Sequence, residues 1–353
     1  MKFNKSTFQT LLKDFPGGKW ASTLNAMHSA KRYLDLKNIW KSIQEQNLKE
    51  ILGYAQKHCS YYQGLYDMTP EDNPKIILGH LPLLDKDKIH KAGQLIYSDV
   101  ITDDWTKCVD VYDGADISLR FPELYVGKPW KAICQMMLCQ KMGYKAGDAI
   151  VSFSRKSISE ELLSQHLYWS KETDFPWENL YFSASHISTD TIGNYWGKLL
   201  EVKAKIIKGS PSAILKFCRV ARQQGLSPSF KVKGICLAGE LFTQEEKSEI
   251  SDFFNTPVVY GLYCHQESSI FAVQAYNIEE YICNPLYGYT EVLDENGKQV
   301  GIDEMGEIVV TGFIEHGLPF IRYKTGDLAI YGGETEYGEA ILRKITIRNV
   351  SHR

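Results

Sequence analysis

The groups best suited to chemistry sit beside glycines. Asp327 follows Gly326 at the end of the run Phe320-Ile321-Arg322-Tyr323-Lys324-Thr325-Gly326-Asp327. An ionised Asp only accepts hydrogen bonds and can take two at once, so one held out rigidly by a glycine turn suits a vicinal diol such as a ribose. Arg322, in the apolar stretch just before, offers a cation. Both residues also have plainer readings, a turn cap for Asp327 and a solvated edge charge for Arg322, because motifs this short recur by chance. Glu240 follows Gly239, and Tyr260 precedes Gly261, in two further turn-like positions. Cys264 and His265 are neighbours, but adjacent side chains on a strand point to opposite faces, which argues against a thiolate–imidazole pair.

These groups need elements to position them. Glu307 to Thr311 is a β-branched run between Gly306 and Gly312, and Gly317-Leu318-Pro319 turns the chain into a second apolar strand that ends at the Gly326-Asp327 turn. Val232 to Ala238 and Pro257 to Gly261 are two more strands, each ending in a glycine turn. In open α/β sheets ligands bind beyond the carboxyl ends of the strands, so both turns face one crevice on this reading. Between them, Thr243 and Glu246 form a capping box that opens a helix. Ser210 and Pro211, in Lys208-Gly209-Ser210-Pro211-Ser212, form another helix entry, with Ser210 as N-cap and Pro211 in the first turn.

Earlier in the chain, Leu36, Ile39, Trp40, Ile43, Leu48, Ile51, Leu52 and Ala55 fall at helical spacing over 35–59. The stretch Leu81 to Asp87 leads into a short helix. A strand, a Gly turn at Asp113-Gly114 and a second apolar segment follow in VDVYDGADISLRF, then a helix over 128–142 and a strand from Ala149 to Phe153. Asn296-Gly297 between two apolar runs predicts a hairpin. The alternation gives an α/β class of mixed sheets flanked by helices, with a small β subdomain. We divide the chain into a helical region at 1–80, an α/β core at 81–285, a β subdomain at 286–345 and a tail at 346–353.

The 353 residues suffice for two domains or for one large one, and 44% hydrophobic with 24% charged residues is ordinary globular composition. A net charge of −3 with interspersed signs gives no basic face for nucleic acid or an anionic membrane. No apolar run approaches a membrane span or a signal-peptide core, which predicts a cytoplasmic protein. The eight cysteines form no C-x-x-C pair and the nine histidines no ligand spacing, predicting reduced thiols and no transition metal.

Taken in order, Gly209-Ser210-Pro211-Ser212, Ala238-Gly239-Glu240, Tyr260-Gly261 and Gly306-Glu307 through Thr325-Gly326-Asp327 resemble the adenylate-forming enzymes, above all the phenylacetate–CoA ligase-like branch that includes proteins of capsular polysaccharide gene clusters. The resemblance covers roughly 45–345, and LPFIRYKTGDLA is its most specific part. It implies an enzyme that joins a carboxylic acid to AMP, using ATP and magnesium and releasing pyrophosphate. The acyl group then passes to a thiol or amine acceptor such as CoA, a carrier protein or an amine. It implies that Asp327 binds the ribose hydroxyls, that Gly239, Glu240, Tyr260 and Gly261 line the adenine pocket, and that Arg322 is the cation near the nucleotide. Gly209, Ser210 and His186 count as candidate substrate contacts, with Trp130, Phe153 and Tyr181 as candidate walls of an acyl pocket.

Three positions depart from the family pattern. The Ser/Thr/Gly-rich phosphate loop corresponds here to Val111-Tyr112-Asp113-Gly114-Ala115-Asp116-Ile117-Ser118, which keeps one glycine, loses the run of hydroxyls and gains two carboxylates. The family's magnesium-holding glutamate falls at Cys264, and Glu267 takes that role if the turn carries extra residues. The hinge falls near Thr346-Ile347-Arg348-Asn349, and the lid domain with its catalytic lysine would lie beyond it. These departures keep a second expectation open: a fold that has lost ATP use and acts as a transferase on a pre-activated donor, or as a binding protein.

Overall fold

A computed structural model describes residues 19–69, 71–100, 108–113, 116–124, 130–155, 157–174, 177–274 and 280–347. Gly114 of the expected Asp113-Gly114 turn, with Ala115 after it, and the hinge positions Arg348-Asn349 lie outside the described residues. The protein is mixed α/β. It divides into two compact units, one of 1–35 with 135–261 and the other of 36–134 with 262–353, so the span 81–285 contributes to both.

In the first unit, strands Trp177–Ser183, Ile150–Ser154, Ile206–Gly209 and Gly234–Ala238 lie side by side and parallel, with Trp169–Asp174 antiparallel at one edge. Their runs of buried Ile, Val, Leu and Phe are what parallel strands covered on both faces require. Helix Pro211–Gln223 turns Ala213, Ile214, Phe217, Cys218 and Ala221 inward at helical spacing. Phe217 packs with Phe153 at a ring separation of 5.0 Å. Helix Gln244–Phe254 opens with the expected box, Thr243 Oγ1 accepting from Glu246 N–H and the Glu246 carboxylate accepting from Thr243 N–H.

The second unit has an antiparallel array in the order Gly288–Leu293, Met305–Gly312, Tyr323–Glu334, Ala340–Thr346, Tyr281–Cys283, Phe271–Gln274. Helix Trp40–His58 contributes Leu48, Ile51, Leu52 and Ala55 to its core, alongside Phe320, Tyr323 and Leu342. The segment before helix Lys86–Ala92 is tied to the array by Leu84, whose N–H donates to Arg322 O and whose carbonyl accepts from Lys324 N–H. Among the described residues no helix is long and apolar enough to cross a membrane.

Two elements differ from the sequence reading. Tyr260 and Gly261 lie inside strand Val259–Cys264 rather than in a turn at its end. Gly326 and Asp327 likewise lie within one long strand, Tyr323–Glu334, where they form a bulge. Lys324 pairs with Val309 and Leu328 with Glu307, so Thr325, Gly326 and Asp327 together face Ile308 alone. Gly326 has φ +81°, a conformation that costs a side chain-bearing residue strain and glycine none.

Candidate functional site

In the first unit the parallel strands bring several sequence-predicted residues to one edge. Gly209 and Ser210 follow strand Ile206–Gly209, Gly239 and Glu240 follow Gly234–Ala238, and His186 follows Trp177–Ser183. Carboxyl ends of adjacent parallel strands are where ligands bind in open sheets. The Glu240 carboxylate accepts from Ser212 N–H at 3.2 Å, in the first turn of helix Pro211–Gln223, and pairs with Arg155 at 2.9 Å. Arg155 was not picked out in the sequence. It stands just beyond strand Ile150–Ser154, so its signal was position after a buried strand rather than any motif.

Gly209 is required by close approach. At φ +148°, a Cβ there would stand 2.6 Å from Phe153 O on the neighbouring strand. His186 sits in the short helix Ala184–His186 with its Nδ1 2.8 Å from Ser183 Oγ and its ring stacked on Tyr168. Tyr195 stacks on the other arm of this group and donates to Ser183 O. Tyr260 is half-buried, and that burial raises its phenol above the usual range.

The second unit holds Asp327, Glu267 and Arg322. Asp327 is buried at 6% exposure. Its N–H donates to Thr325 Oγ1, and the Thr325 hydroxyl donates to Ile308 O, so the bulge is tied to the neighbouring strand. Asp327 Oδ2 accepts from the Tyr263 hydroxyl at 2.7 Å and lies 3.2 Å from His265 Nε2. Burial, then the Asp327 charge, push the Tyr263 phenol well above its ordinary range, so it is a donor throughout the physiological range. Sequence reading missed these two partners of Asp327. Tyr263 and His265 are two apart at the end of a strand, and period-two alternation puts them on one face, which was the signal available.

Glu267 is buried at 6% exposure and accepts from the Tyr323 hydroxyl at 2.9 Å. Gln266, beside it, accepts from Tyr112 N–H and so tethers hairpin Cys108–Asp113/Asp116–Pro122. Asp113 and Asp116 pair directly across that hairpin, enclosing two residues.

Arg322 is buried, unlike a solvated edge charge. Its guanidinium spans Glu291 through Nε at 3.3 Å and Nη2 at 3.1 Å. It also donates to the carbonyls of Gly79, Leu81 and Gly297. Burial raises Glu291 above the usual carboxylate range, and Arg322 opposes that rise. The guanidinium is thus committed to protein acceptors that hold the strand leading into the Gly326-Asp327 bulge.

No family model matches the chain. A curated relative, Protein CapK of Staphylococcus aureus, is 24% identical over 328 residues, or 91% of this chain and 70% of that protein. A 2-hydroxyisobutyryl-CoA ligase, solved in an open conformation with 2-HIB-AMP and CoA, superposes with TM-score 0.64 at 19% identity, over 88% of this chain and 70% of the ligase. An acyl acid amido synthetase solved with 2,4-DB gives TM-score 0.54 at 12% identity, over 93% of this chain and 71% of the synthetase. At these identities the likeness to the solved structures is one of fold.

Proposed function

We propose that this chain, which has the fold of the large domain of adenylate-forming ligases, binds a ribonucleotide at Asp327 and activates a carboxylic acid with ATP for transfer to a thiol or amine. The observation that carries the reading is Asp327 itself, a buried carboxylate fixed in a bulge whose backbone is tied down on both sides. A carboxylate held this way is pre-organised to accept from a sugar hydroxyl. At the first unit's sheet edge, Gly209, Ser210, Glu240 and Arg155 offer backbone N–H groups, a carboxylate and a cation, a donor set suited to a polar substrate end.

ATP supplies the adenylyl group that the acid's carboxylate takes up as pyrophosphate leaves. Among the described residues no cluster of three or more His, Cys, Asp and Glu side chains would hold a metal alone. Magnesium is commonly held by one or two carboxylates together with phosphate oxygens, and Glu267 is the residue we assign to it. In this reading Arg322 is a positioning residue, because its hydrogen bonds are taken by Glu291 and main-chain carbonyls.

Pyrophosphate exchange with a panel of aryl, fatty and amino acids tests the reading. Exchange with one acid class is expected, with Asp327→Asn reducing it. No exchange with any acid, together with no thermal shift from ATP and magnesium, refutes it. One observation favours a second reading, transfer from a pre-activated donor. The direct pairing of Asp113 with Asp116 leaves two residues between the strands where the family has a longer phosphate loop. On that reading AMP binds as well as ATP, and exchange is absent.

A further inference from the structure

We propose that Ser183 sets the tautomer of His186, so that His186 presents Nε2–H as a donor at the carboxyl edge of the first unit's sheet, where it reads an oxygen of the substrate's carboxylate. The substrate role rests on the adenylate-forming reading; the tautomer does not. A neutral imidazole carries one proton, and the nitrogen that holds it donates while the other accepts. Ser183 Oγ stands 2.8 Å from His186 Nδ1, at a residue only 2% exposed. The main chain of Ser183 is already served, its N–H donating to Tyr168 O and its carbonyl accepting from the Tyr195 hydroxyl. Among the described residues Nδ1 is the hydrogen-bond partner that Oγ has. A buried hydroxyl without an acceptor keeps its full desolvation penalty, so the hydroxyl donates and Nδ1 accepts. The ring proton is then on Nε2.

Ring geometry decides where that donor goes. The two nitrogens of an imidazole diverge, so with Nδ1 turned to the buried hydroxyl, Nε2 points away from it. His186 is half-buried, and among the described residues its Nε2 makes no hydrogen bond. Tyr168 stacks on the ring at 6.0 Å, and the Thr191 hydroxyl donates to His186 O at 2.6 Å, so side chain and main chain are both held. An N–H fixed in this way suits a carboxylate oxygen and cannot accept from an ammonium group. Burial also rules out Ser183 as a nucleophile, because the residue is closed to a substrate carbonyl.

Long-range proton–nitrogen correlation NMR of the full chain, isotope-labelled at its histidine nitrogens, reads the tautomer directly at about pH 8.5, where imidazoles are neutral. His186→Gln assigns the signal. The expected spectrum has a protonated Nε2 and an unprotonated Nδ1. Ser183→Ala is expected to release the ring to a mixture of tautomers. Tyr195→Phe, which removes the donor to Ser183 O and leaves the Oγ–Nδ1 bond, is expected to keep the parent spectrum. Circular dichroism melting establishes that each variant is folded, and the unmodified chain decides the tautomer even where a variant is not. A proton on Nδ1 in the unmodified chain overturns the proposal, as does a tautomer indifferent to Ser183→Ala. Pyrophosphate exchange, with the acid that exchanges fastest, tests the contact. His186→Leu is expected to raise KM for the acid about tenfold or more and to leave KM for ATP within about twofold. His186→Gln, whose amide N–H stands in for Nε2–H, is expected to recover most of that loss. An unchanged acid KM in His186→Leu overturns the substrate contact. Absence of exchange in the unmodified chain with every acid is a different result: it refutes the adenylate-forming reading and the substrate role with it, while the spectrum still decides the tautomer.

Discussion

Replacing Arg322 with methionine is the sharpest test of how the second unit holds its bulge. The substitution keeps an unbranched side chain but removes five N–H donors from a site at 5% exposure. Glu291 loses both of its guanidinium contacts, and the carbonyls of Gly79, Leu81 and Gly297 each lose one. Breaking a buried ion pair by removing one partner costs about 3–5 kcal/mol, largely because the remaining charge is stranded. Urea unfolding followed by far-UV circular dichroism should register that loss. The pH dependence then identifies its cause. With Arg322 gone, burial acts on Glu291 unopposed and pushes its folded-state titration further above the unfolded one. Such a group stabilises the fold only while protonated, so the variant's deficit should be small in acid and grow as pH rises toward neutral. Replacing Glu291 with leucine in the same chain removes the stranded charge and should recover part of the loss. A variant as stable as the parent within about 1 kcal/mol, yet unable to bind nucleotide, would make Arg322 a ligand contact and refute the reasoning.

Two further predictions concern other sites. Glu315 is buried, and burial raises its carboxyl to about 7 against N–H bonds from Leu124 and Gly317 that lower it. Its folded value lies above its unfolded one, so its contribution is full in acid and lost as pH climbs from the ordinary carboxylate range through about 7, a total change of up to about 3 kcal/mol by linkage. Glu315→Gln should flatten the plot of melting temperature against pH over that window, and an unchanged slope would exclude Glu315 as its source. Gly209→Ala drives a Cβ to 2.6 Å from Phe153 O and should destabilise the chain by about 1–3 kcal/mol in urea unfolding. An alanine variant as stable as the parent would mean that the two strands separate without cost.

What could be read from the sequence was local. The Thr243–Glu246 box and the Pro211 helix start are fixed by neighbours within a turn, and the structure has both. Two of the four parallel strands were visible as short apolar runs, from Ala149 to Phe153 and from Val232 to Ala238, while Ile206–Gly209 and Trp177–Ser183 were not read as strands. The mixed α/β class followed from their alternation with helices. The partners of Arg322 were not legible, because Gly79 and Leu81 stand more than two hundred residues away and nothing local marks them as acceptors. The same holds for His265, which the sequence offered only as a neighbour of Cys264. Its contact is Asp327, reached because separate strands fold into one array. Tyr260-Gly261 and Gly326-Asp327 looked like strand ends because glycine marks turns and bulges alike.

The bulge at 325–327 also constrains what lengths this segment can have. From Val309 to Glu307 the partner strand advances two positions while the bulged strand advances four, from Lys324 to Leu328. The surplus is even, so side chains before and after it keep the same inside–outside parity: Tyr323 and Ala329 both point to the core. Deleting or adding a single residue here would make the surplus odd and send every later side chain of the strand to the opposite face. The motif can therefore exchange residue types one at a time, but its length can drift only in steps of two.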